Sequence, residues 1–149
     1  MPASNEALRS EVLEYLEARF GLTPHLFAGA EFSETADGEI WIASRGAPGR
    51  VARRPPGLRA VRRTPTGLKP TSAFLVSVGP QVSRSRVSLE RDALVQLLLG
   101  RRLPCEGPDG YVAVTYGRDV LGCGGVGDGT LRSLLPTGRR RELLDILTA

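Results

Sequence analysis

Apolar positions recur with a helical period at the start of the chain: Leu8, Val12, Tyr15, Leu16 and Phe20 make one stripe. Ser4 can cap this helix, Glu6 stands in its first turn, Gly21 suits the position after its end and Pro24 forbids continuation. The period then drops to two. Residues 32–35 and Glu39–Ser44 flank Asp37-Gly38, which predicts a hairpin with Ile40 and Ile42 on one face and Trp41 on the other. Residues 46–56 read as loop and residues 59–63 as a short strand. Lys69-Pro70-Thr71-Ser72 leads into an apolar run at residues 73–78, closed by Gly79-Pro80, which predicts another strand. Ser88 then caps a second helix over residues 89–99, stopped by Gly100 and followed by Arg101-Arg102. Leu94, Leu97 and Leu98 are its expected buried positions.

From Gly110 onward the pattern is that of short strands joined by tight turns. Tyr111 to Thr115 is rich in β-branched and aromatic residues, Tyr116-Gly117-Arg118-Asp119 is a turn, Val120 starts a second strand and Asp128-Gly129 marks a hairpin. Residues 139–147 predict a terminal helix. The order Leu121-Gly122-Cys123-Gly124, Asp128-Gly129, Arg132, Leu135-Pro136 and Arg139-Arg140 resembles the PUA domain, a small β-pseudobarrel appended to RNA-modifying enzymes and ribosome-assembly factors. Within that family it is similar to the PUA-like tail of the NOL1/NOP2/RsmF group of RNA cytosine methyltransferases. The front half resembles the small α/β module that precedes PUA in ribosome-assembly proteins, through Arg19-Phe20-Gly21-Leu22 and Leu68-Lys69-Pro70-Thr71-Ser72. The polar stretch 81–87 then divides the chain. The expected fold is α+β: a pre-PUA-like α/β module over residues 1–82 and a PUA-like β-pseudobarrel over residues 83–149.

Charge changes the picture because it is segregated. Residues 1–44 carry 2 basic and 8 acidic side chains, net −6; residues 45–102 carry 13 and 2, net +11; residues 103–149 carry 5 and 6, net −1. The centre of the basic third is Arg45, Arg50, Arg53, Arg54, Arg59, Arg62, Arg63 and Lys69, with no acid among them. A polyanion is the natural partner of such a stripe, and arginine's planar fork suits phosphate. The alternative is a solvated loop that keeps the protein soluble. The acids Glu6, Glu11, Glu14 and Glu17 fall on the outer side of the first helix, as a solvated face or a partner surface. With 5% aromatic residues, base stacking is not the expected main mode of binding.

Several motifs point to chemistry that their surroundings do not support. Gly122-x-Gly124-x-x-Gly127 has dinucleotide-fingerprint spacing, but a turn and strand residues follow it where a helix is required. Pro104-Cys105 is similar to the Pro-Cys of RNA cytosine methyltransferases, yet a second cysteine motif and a cofactor-binding domain are needed beside it. Cys105 and Cys123 have neither the spacing nor the histidines of a metal site, and His25 has no Ser or Cys partner in view. The expectation is no catalytic residue, no cofactor and no metal. A polar, acidic start and the lack of a long apolar run predict a cytoplasmic protein without a membrane span.

The resemblance implies an RNA surface at the end of the second helix, Gly100, Arg101 and Arg102, and on the stretch Leu131-Arg132-Ser133-Leu134, with Gly124 and Gly129 letting the backbone approach a phosphate or turn tightly. Arg139 and Arg140 fit the same pattern, and Arg59, Arg62, Arg63 and Lys69 add the cationic stripe. The family tail places Lys after its Gly-x-Gly and Lys-Asn before its Leu-Pro; here Gly125 and Arg132-Ser133 stand instead. The function expected is non-catalytic binding of structured RNA, rRNA or tRNA, in ribosome biogenesis or RNA modification, beside an RNA-modifying enzyme or a ribosome-assembly factor. The alternative is a protein–protein adaptor that docks through its acidic first helix.

Overall fold

A computed structural model describes residues 4–44 and 57–149, without the side chains of Ser4 and Asn5. The Ser4 cap, the 46–56 loop and Arg45, Arg50, Arg53 and Arg54 therefore lie outside the described residues. Helix α1 (Ser4–Phe20) leads through a 3-10 turn at Pro24–Phe27 into strands β1 (Ala30–Glu34), β2 (Glu39–Ser44), β3 (Leu58–Thr64) and β4 (Gly67–Pro70). These form one antiparallel sheet in the order β1-β2-β3-β4. The stripe on α1 is its inner face: Leu8, Val12, Leu16 and Phe20 are buried with Phe32, Ile40 and Val61.

Residues 73–78 are not a strand. Residues 73–77 belong to helix α2 (Ser72–Ser77), with Val78 at its C-cap, because Thr71 in extended conformation accepts a hydrogen bond from Phe74 N–H at 3.0 Å and so caps a helical turn. A short apolar run has no period that separates helix from strand, so the cap decides. Phe74 and Leu75 are buried while Val76 and Ser77 face out.

After a second 3-10 turn (Gly79–Gln81) come β5 (Arg86–Ser88), α3 (Arg91–Leu98), β6 (Leu103–Pro104), β7 (Gly110–Tyr116), β8 (Asp119–Gly127), β9 (Thr130–Ser133) and α4 (Thr137–Leu147). The five strands run β5-β7-β8-β9-β6, with β5 parallel to β7 and the rest antiparallel, and the sheet curls into a half-barrel. The fold is α+β with a PUA-like pseudobarrel at the rear. The second helix is shorter than its sequence suggests. Ser88 is a strand residue opposite Thr115, and Glu90 takes the cap position instead. Helix α3 joins the two edge strands β5 and β6, and its Leu94, Leu97 and Leu98 are almost wholly buried with Val112, Val114 and Leu131.

The hairpin β7–β8 serves both halves of the molecule. Ala113, Val120 and Cys123 belong to the front core, whereas Val112, Val114, Leu121 and Val126 belong to the rear one. Such a two-sided wall leaves little room for side chains. A Cβ on Gly122 would come within 2.8 Å of Ser72 Oγ, and Ser72 Oγ accepts the Cys123 N–H at 2.9 Å, so α2 rests directly on β8. The stretch 81–87 has a structural reason for its polarity. Ser83 N–H and Arg84 N–H donate to Phe20 O, and Ser85 Oγ–H donates to Arg19 O, so this segment satisfies the carbonyls at the end of α1.

Candidate nucleic-acid interface

The cations of the sequence separate into two groups once the chain is folded. On β3, Arg63 is held by two carboxylates: Nη1 lies 2.7 Å from Glu11 Oε2, and Nε lies 2.9 Å from Glu34 Oε2. Arg59 Nη1 lies 2.8 Å from Glu39 Oε2. The Arg63 guanidinium, donating to Glu11, holds that carboxyl below the ordinary carboxylate range. The acidic first third thus neutralises part of the basic third. Glu6, Glu14 and Glu17 remain on the exposed side of α1.

Arg62 and Lys69 face each other across the β3–β4 ladder and, with Arg59, border a groove of about 190 Å³. Leu134 and Pro136 of the rear half close its other side. Gly100, with φ +96°, ends α3 as a C-cap glycine, and Arg101 Nη1 donates to Gln96 Oε1. Arg140 Nη1 donates to Leu98 O at 3.3 Å and so ties α4 to α3, while Arg139 lies 3.8 Å from Glu142. Gly124 is inside the barrel wall: a Cβ there would be 2.8 Å from Val114 Cγ2 and 3.0 Å from Leu131 Cδ1, so its backbone is covered by neighbours.

Arg102 and Arg132 are far apart in sequence and meet at one cleft of about 540 Å³. Both are exposed, and neither side chain makes an ion pair or hydrogen bond among the described residues. Residues that the sequence reading did not select complete this cleft: Tyr15 and Arg19 of α1, Tyr111 of β7, and Asp109 and Asp128. Arg19 Nε donates to Tyr111 O at 2.7 Å, so it links α1 to the barrel. Its guanidinium lies across Gly110, where a Cβ would be 2.8 Å from Arg19 Cζ. Arg19 follows Tyr15 by four residues at the border of the apolar stripe, which was the available signal for its inward position.

Tyr15 is half-buried; its hydroxyl is covered and has no hydrogen-bond partner, and burial pushes its pKa upward. Cys123, beneath the same region, is buried, and its thiol is pushed up to about 12. Such a thiol is neutral and unreactive at physiological pH. The glycine fingerprint lies within β8 and leads to β9, with no helix N-terminus beyond it. Among the described residues, no group of three or more His, Cys, Asp or Glu could hold a metal, and no helix is long and apolar enough to cross a membrane.

These features define a barrel of the PUA class with an adjoining basic cleft. Residues 84–141 match the family model of the methyltransferase RsmF PUA domain, and this segment is a PUA domain resembling the C-terminal tail of RsmF-type methyltransferases. The match spans α3, α4 up to Arg141 and the whole curled sheet, and it contains both Arg102 and Arg132. A PUA domain points to RNA binding in an RNA-modification setting. No curated protein matches the chain.

Proposed function

We propose that this protein is a non-catalytic, cytoplasmic RNA-binding protein that recognises structured rRNA or tRNA during ribosome biogenesis or RNA modification. The observation that carries this reading is the convergence of Arg102 and Arg132, unpaired among the described residues, on one cleft of the PUA segment. Unpaired guanidinium groups can accept phosphate without first breaking an internal ion pair. Arg62 and Lys69 add a second cationic position along the junction of the two halves. The chain works as two modules divided near residue 82, and an RNA-modifying enzyme or ribosome-assembly factor is the protein partner that suits it. The two unpaired cysteines, Cys105 and Cys123, accord with a reducing compartment.

Titration of a tRNA transcript and a ribosomal RNA helix across a salt series tests the reading. Affinity should fall steeply as salt rises, roughly 0.7 to 0.9 in log–log slope for each phosphate contacted. Absence of binding to either RNA at low salt would remove it and leave the adaptor, with its acidic α1 face, as the working account.

A further inference from the structure

We infer that the cleft between α1 and the barrel receives a single unstacked nucleotide, and that it favours a base bearing an amino group. This rests on the RNA reading above and adds what the RNA must present. Three observations carry it.

The first is shape. The cleft is concave, about 540 Å³, and walled by both halves of the molecule. That volume falls in the roughly 300–1,000 Å³ range of pockets that enclose small ligands. Duplex RNA, in contrast, is met across its wide, shallow minor groove and its phosphates.

The second is the kind of wall. The chain has only three tyrosines and one tryptophan, yet two of these aromatics, Tyr15 and Tyr111, line this one cleft. Beside them the planar Arg19 guanidinium is fixed over Gly110 by its bond to Tyr111 O. Aromatic rings and arginine planes are the surfaces on which unstacked bases rest.

The third is mixed charge. A site for phosphate alone has no use for carboxylates, but Asp109 and Asp128 line the cleft together with Arg102 and Arg132. A nucleotide carries both complements. Its phosphate suits the arginines, and the N–H groups on its base edge suit carboxylates, which only accept. Cytosine, adenine and guanine offer an exocyclic amino group, and uracil does not.

The test uses the full chain and RNA hairpins with identical stems, either fully paired or carrying one bulged C, A, G or U, measured by fluorescence anisotropy at low salt. Wild type should bind the C-bulged hairpin about tenfold more tightly than the paired one, and more tightly than the U-bulged one. D109N/D128N should erase the distinction between C and U, while R102Q/R132Q should weaken all bulged hairpins alike. All four residues are exposed, so folding is preserved; Asp128 has φ +53°, a conformation that Asn also tolerates. Equal binding of paired and bulged hairpins by wild type would overturn the nucleotide cleft while leaving RNA binding standing. A bulge preference that does not separate C from U, or that D109N/D128N leaves unchanged, would overturn the base reading. No binding to any hairpin would remove the RNA reading itself, and the cleft with it.

Discussion

The basic stripe on β3 and the arginines of the rear barrel carry the same charge but stand in opposite situations. Arg59 and Arg63 are joined to Glu39, Glu34 and Glu11, whereas Arg102 and Arg132 have no partner among the described residues. Of the four cations described on β3 and β4, the fold supplies acids to meet two, Arg59 and Arg63. In the rear half, Arg102 and Arg132 are left available on one cleft. Charge density along a chain therefore measures the potential for phosphate contact, and pairing in the fold decides how much of it is free. Arg62 and Lys69, also without an ion pair among the described residues, show that the front half keeps a smaller share of that potential.

The front and rear halves also share one wall, which sets the largest expected effects. Phe20 fills the front core and Leu97 the rear one, both fully buried. Phe20→Ala should cost about 3–5 kcal/mol and Leu97→Ala about 2–5 kcal/mol. Because β7–β8 carries residues of both cores, each variant should unfold in one transition with the same midpoint for both halves. Denaturant titration followed by Trp41 fluorescence and by far-UV circular dichroism checks this, and two separated transitions would show that the halves are independent.

The next effect lies on the front side of the wall. The Cys123 thiol ionises near 9 in an ordinary setting but is pushed up to about 12 when buried here. Its folded pKa is raised, so the stability it contributes is complete below pH 9 and is lost as pH rises toward 12. The slope should approach roughly 1.4 kcal/mol per pH unit inside that window. Tyr15, also raised, adds to the loss above pH 10. Cys123→Ala should flatten the decline between pH 9 and 10, as read from melting temperature; an unchanged profile would place the alkaline loss elsewhere.

On the rear side of the same wall, Gly124→Ala should destabilise by about 1–3 kcal/mol, since the new methyl meets Val114 Cγ2 at 2.8 Å and Arg132 O at 3.2 Å. Denaturant midpoints report it, and a neutral outcome would mean that the wall has slack. The smallest effect is that of the front ion pairs. Arg63 depresses the Glu11 pKa, so this contribution is present above the ordinary value of 4.5 and lost as pH falls below it. The pair is exposed, with 38% and 46% of the two side chains accessible, so Glu11→Gln should cost well under about 1 kcal/mol and soften the acid limb of a pH–stability curve.

The long signals of the fold were legible in sequence. The α1 stripe, the Asp37-Gly38 and Asp128-Gly129 turns and the apolar face of α3 all follow from local period and turn chemistry. What escaped was decided by tertiary pairing. Strands β4, β5 and β6 have four, three and two residues, too few to show a period of their own. The run after Thr71 became a helix through one side-chain cap. In the site, Arg102 and Arg132 were legible through family resemblance. Tyr111, Asp109 and Asp128 were not, because they face the cleft only after α1 packs beside the barrel, and Arg19 was signalled only by its place beside the α1 stripe.

On the proposed function, available cations rather than dense ones bind RNA. Salt-dependent titration of a tRNA transcript by R102Q/R132Q and by R59Q/R63Q tests it most directly, since each variant removes two positive charges and long-range attraction falls equally. R102Q/R132Q should lower the log–log salt slope by roughly 1.4 to 1.8, as for two lost phosphate contacts, while R59Q/R63Q should leave the slope near that of wild type. A reduced slope in R59Q/R63Q with an unchanged one in R102Q/R132Q would contradict it and return the RNA surface to the β3 stripe.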